Sequence, residues 1–132
     1  MYDKCCEENT SSAKRDWVTD VRVYTALWGV PTGALLVGVF MPPPARTVVW
    51  TIALTWKGVA CLANARQCGR THCYFTSPFF LIMALLVLAH GAGMMPLGPH
   101  GWLLLGIVLV VGTAGLWWGS ERMLGKYLPS KR

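Results

Sequence analysis

At 132 residues the chain has single-domain length, yet 54% hydrophobic and 14% charged residues, with a mean hydropathy of +0.43, leave too little polar cover for a water-soluble domain of this size. The bilayer is the expected solvent. The net charge of +6 is accounted for by bases placed on one side of a membrane and by anionic lipid headgroups, so it is not read as a nucleic-acid footprint.

The first 20 residues form a polar tail that carries Cys5 and Cys6, and no secretory signal is expected because charges precede any apolar run. Trp17, Val21 and Tyr24 recur at helical spacing among charged residues, which predicts a short interfacial helix leading into the first span. Apolar runs at about 21–41, 47–65, 77–96 and 101–119 each approach the roughly 20 residues that cross a bilayer as a helix. Pro31 is expected to distort the first of them. The "MPPPAR" segment, Met41 to Arg46, separates the first two spans, and "MPLGPHG", Met95 to Gly101, separates the last two. Ser77-Pro78 predicts an N-cap followed by proline at the first helical position, and so the start of the third span. Gly29 and Gly33, and Gly115 and Gly119, have the G-x-x-x-G spacing that lets helices approach closely in lipid. The expected fold is all-α: a small bundle of about four transmembrane helices followed by a basic tail at 120–132. Strands are not expected, because an open sheet edge cannot be satisfied in lipid.

Orientation follows from the bases. With four spans, Lys4, Lys14, Arg15 and Arg22 share a side with Arg66 and Arg70 of the middle loop and with Arg122, Lys126, Lys131 and Arg132, leaving Arg46 opposite. The positive-inside rule then places both termini in the cytoplasm of a multi-pass inner-membrane protein. Trp50 and Trp102 are expected near the outer interface and Trp117 and Trp118 near the inner one.

In that orientation all five thiols lie on the cytoplasmic side, where disulfides are rare, so free thiols, soft-metal ligands and redox groups are the alternatives. Cys68, His72 and Cys73 fall within six residues of a predicted loop, Gly69 lets it bend, and Arg66 and Arg70 favour thiolates. Copper, zinc or a mercury-like ion could take these three ligands, with Cys61, Cys5 or Cys6 as further donors. Equally, the cysteines could serve as small packing residues while the arginines contact lipid phosphates. The segment "NARQCGRTHCYFTSPF", Asn64 to Phe79, resembles an N-A-R-x-C-G-R-x-H-C-Y-x-T-x-P-F stretch of small, uncharacterised prokaryotic membrane proteins, a resemblance that carries no activity. A looser similarity is to thiol-based mercuric-ion transporters, although this chain has no cysteine pair in its first span and no thiol on the outer side.

Lys57 lies deep in the second span, one helical turn from Cys61. Its charge must either snorkel to the interface or find a partner, and no predicted span contains Asp or Glu. A lipid headgroup, backbone carbonyls, His90 or a carboxylate of another protein remain as partners. His90 and His100 are expected to be structural. No arrangement of carboxylates, Ser, His and Asp, or phosphate-binding glycines suggests an enzyme. Two principal functions stay open: binding or passing a soft metal ion through cytoplasmic thiols, and serving as a noncatalytic accessory subunit against a larger membrane complex or a second copy.

Overall fold

A computed structural model describes residues 21–68 and 71–125. These residues form helices and no strand. α1 (Val21–Tyr24), a π-helical turn (Thr25–Gly29) and α2 (Val30–Gly38) follow one another directly, and α3 (Pro43–Cys68), α4 (Thr71–Gly91) and α5 (Gly101–Leu124) complete the order. α4, α5 and most of α3 are long and apolar enough to cross a membrane. The N-terminal tail, with its expected interfacial helix, and the basic C-terminal tail lie outside the described residues.

Local chemistry explains where the helices bend and stop. Pro31 has no N–H for the Leu27 carbonyl and its ring crowds the preceding turn. The chain answers by widening that turn, with the Val30 N–H reaching the Thr25 carbonyl. At the far end of α2 the N–H groups of Val39, Phe40 and Met41 bond the carbonyls three residues back. The Arg46 guanidinium adds donors there, to the carbonyls of Gly38 at 3.2 Å, Val39 at 2.7 Å and Met41 at 2.9 Å. A cation at a helix C-terminus also suits the dipole.

α4 departs from the sequence expectation at both ends. It starts at Thr71, so Ser77 and Pro78 lie inside the helix and do not begin it. The Ser77 hydroxyl donates at 2.8 Å to the Gly58 carbonyl of α3 instead of capping its own helix. At the other end Gly93, at φ +76°, turns left-handed, and the Met94 N–H reaches back to the Ala89 carbonyl at 2.9 Å. This is the Schellman stop that glycine permits, and it ends α4 at Gly91, short of residue 96. α5, by contrast, continues past residue 119 to Leu124 and so carries Glu121 on its last turn.

α3 and α4 form the centre, α2 packs on α3, and α5 packs on α4, while α2 and α5 flank the pair without meeting. Leu54, Met83 and Val87 are among the side chains fully enclosed between them. The central helices are close because Gly58 has no side chain: a Cβ there would come within 2.9 Å of Leu81 and 3.3 Å of the Ser77 carbonyl. Gly91 lies closer still to Thr47. The G-x-x-x-G pairs do not mediate this packing, since Gly33, Gly115 and Gly119 all have open space where a Cβ would stand. Trp50 is also a core residue: it is buried, and its indole N–H donates at 3.0 Å to the Leu35 carbonyl of α2.

Gly58→Val should lower stability by about 1–3 kcal/mol through overpacking, while Gly33→Ala should change it by less than about 0.5 kcal/mol. Thermal unfolding in detergent reads both. Equal melting of the two variants would contradict the close α3–α4 approach.

Candidate functional site

Two places in the bundle hold chemistry beyond packing. The first lies where α3 ends and α4 begins. Cys61 and Cys73 are 3% and 1% exposed. The Cys61 sulfur is within hydrogen-bonding reach of Cys73, of Trp28 in the π-helical turn and of Thr76. From α3, the wholly buried Asn64 directs Nδ2 at the Cys73 sulfur at 3.8 Å. Asn64 Oδ1 and Thr71 Oγ1 are buried there without a hydrogen-bond partner.

His72 takes a different direction from its neighbour. Its Nδ1 lies 3.1 Å from Glu121 Oε1 of α5, and its ring stacks on Trp117 with centroids 5.5 Å apart. Consecutive residues on a helix point about 100° apart, so the same backbone serves the α3 interface through Cys73 and the α5 interface through His72. The expected six-residue loop is therefore corrected: α3 continues to Cys68 and α4 resumes at Thr71, which puts His72 and Cys73 on a helix. The structure brings Cys61 and Cys73 together and leaves His72 apart from them. Arg66 is exposed near the end of α3. The side chain of Cys68, and Cys5, Cys6 and Arg70, lie outside the described residues. Among the described residues no three His, Cys, Asp or Glu side chains converge as a metal cage.

The second place is a groove of about 1000 Å³ between α2 and α5. Leu36 and Val39 form one wall and Leu103, Ile107 and Val110 the other, with Trp50 and Lys57 on the floor. Lys57 is half-buried, and its ammonium stands 5.4 Å from the centre of the Phe80 ring of α4. Among the described residues no carboxylate lies within ion-pair distance of it, because Glu121 is engaged at the far end of α5 by His72. His90, one of the expected partners, is also committed elsewhere: Nδ1 is 3.0 Å from the Met95 carbonyl and the ring meets Trp102 edge-on at 5.2 Å. Arg46, with its guanidinium 5.2 Å from the Trp102 ring, lines the groove near that end.

Sequence reasoning missed Trp28, Asn64, Trp117 and Glu121. Lys57, Cys61 and Asn64 recur at helical spacing, which was a usable signal for Asn64. Glu121 is the one acidic residue beyond residue 20, and that isolation was a signal too. No known protein family, characterised protein or solved structure matches the chain.

His72→Ala should cost about 1 kcal/mol in thermal unfolding by breaking the α4–α5 contact. In a chain whose only cysteine is Cys73, the same change should leave the rate of N-ethylmaleimide alkylation unaltered. A marked rise in that rate would mean that His72 belongs to the thiol cluster.

Proposed function

We propose that this chain is a noncatalytic, four-span subunit of a prokaryotic inner-membrane complex, with both termini cytoplasmic. Its α2–α5 groove receives a transmembrane helix of another polypeptide that bears an Asp or Glu opposite Lys57. The observation that carries this reading is the position of the Lys57 ammonium. By helical rise Lys57 is about 16 Å from the Cys68 end of α3 and about 21 Å from Pro43. The ammonium stays beside Phe80 at that depth, in a groove open to lipid, instead of extending along the helix to an interface.

A charge at mid-membrane costs about 2.5–3.5 kcal/mol on the insertion scale. The chain has no acid between residues 21 and 120 to offset that cost, so a second copy of itself would bring none at the depth of Lys57. Lipid phosphates sit at the interface, too far away. A carboxylate on a partner helix satisfies the charge and the groove together. The outward spaces at Gly115 and Gly119 offer such a complex a further close approach.

The fourth span in this reading is the helical run from Val21 to Gly38, about 27 Å at the α-helical rise. Contacts pair the bundle ends consistently with four spans. Arg46, His90 and Trp102 meet at one end, and Trp28, Cys61, Cys73 and Glu121 gather towards the other. Arg66 and Arg122 lie at the second end, the side that the positive-inside rule assigns to the cytoplasm. The alternative of a soft-metal site made jointly by Cys68, His72 and Cys73 draws no support from a histidine already bound to Glu121.

A reporter fused after Arg132 should be active only as a cytoplasmic reporter, and one inserted near Gly98 only as an external one. Activity of the Gly98 fusion inside would overturn the four-span arrangement. Lys57→Leu should leave insertion intact or improved and should lose the co-purifying subunit, while Lys57→Arg retains it. Neutralising that subunit's own intramembrane acid should cause the same loss. Retention of the subunit by Lys57→Leu would refute the docking role.

A further inference from the structure

We propose that Cys61 and Cys73 form a two-coordinate site for a soft, thiophilic d10 ion such as Cu(I), buried between α3 and α4. The two sulfurs come from different helices, both are buried, and they lie within hydrogen-bonding reach of one another. N–H donors surround the pair. The indole N–H of Trp28 is within reach of Cys61, and the Asn64 amide donates towards Cys73. N–H groups aimed at a sulfur stabilise its deprotonated form.

Asn64 is the observation that separates this site from ordinary packing. It has no exposed surface, it points its amide into the thiol pair, and its Oδ1 is left without a partner. A buried unpartnered polar group carries a desolvation penalty, which an apolar residue between two helices would avoid. Trp28 approaches the pair from the π-helical turn that precedes Pro31.

Two thiolates and no third ligand among the described residues suit an ion that accepts linear coordination, and thiolate sulfur selects Cu(I) over harder ions. Each thiol releases its proton as its sulfur–copper bond forms, so one Cu(I) displaces two protons and no oxidation state changes. The product is a bis-thiolate carrying one negative charge, facing the Trp28 and Asn64 donors.

The test uses full-length protein in detergent with Cys5, Cys6 and Cys68 changed to Ser, so that Cys61 and Cys73 are the remaining thiols. Anaerobic titration with Cu(I) against a chromophoric chelator should show one tightly held equivalent. Both thiols should become unreactive to a disulfide reagent as it binds, and X-ray absorption should report two sulfur neighbours. Cys61→Ser in this background should lose the bound copper, and His72→Ala should retain it. The protection of the two native thiols is read without altering either, so a folding defect in Cys61→Ser would not obscure the result. Failure to bind Cu(I), binding that leaves both thiols reactive, or copper retained by Cys61→Ser would each overturn the proposal.

Discussion

One positive charge midway along helices whose sole acid among the described residues, Glu121, lies at the far end of α5 governs the arrangement. The Lys57 ammonium can be tolerated between apolar helices only if something near its own depth receives it, and within the described residues it meets the face of Phe80, with Cys61 one helical turn along α3. An aromatic face offsets part of the cost and a carboxylate offsets far more. The groove over Lys57 is kept open because α2 packs on α3 and α5 on α4, leaving the two outer helices apart. Closing that gap within the chain would bury the ammonium against hydrocarbon with no counter-charge.

The central pair makes this spacing stable. Gly58 lets α3 and α4 touch backbone to side chain, and the Ser77 hydroxyl fastens them at the same level. Each outer helix is then attached by polar contacts at one end. Arg46 and Trp50 satisfy carbonyls of α2, and His72 holds Glu121 of α5. In an apolar solvent such bonds are scarce and specific, so a few of them position helices whose hydrophobic faces would otherwise slide. The thiol pair lies inside the strongest interface, which gives it a rigid frame.

The helical class and the long apolar helices were legible in composition and hydropathy, since both depend on solvent alone. The bounds of α4 were not. Ser77-Pro78 has the chemistry of a helix start, but the Gly58 carbonyl on a neighbouring helix took the hydroxyl. Nothing local in the sequence records such a partner. The G-x-x-x-G spacing marks a surface that can be approached and does not say by what, and within the chain the close contacts fell to other glycines, among them Gly58, Gly91 and Gly112. Reading Cys68, His72 and Cys73 as neighbours assumed a loop, whereas a helix sends His72 and Cys73 to different partners. Cys61 with Cys73 was partly legible, because both are soft donors by residue type, but their meeting across two helices is a tertiary fact.

Photo-crosslinking from the groove in native membranes tests the central claim most directly. With a photoreactive side chain at Leu36 or Ile107, the account predicts capture of one peptide of another polypeptide, drawn from an apolar run that contains an Asp or Glu, and loss of that product in the Lys57→Leu background. Capture of lipid alone, of a second copy of this chain, or of a peptide whose yield ignores Lys57 would contradict it.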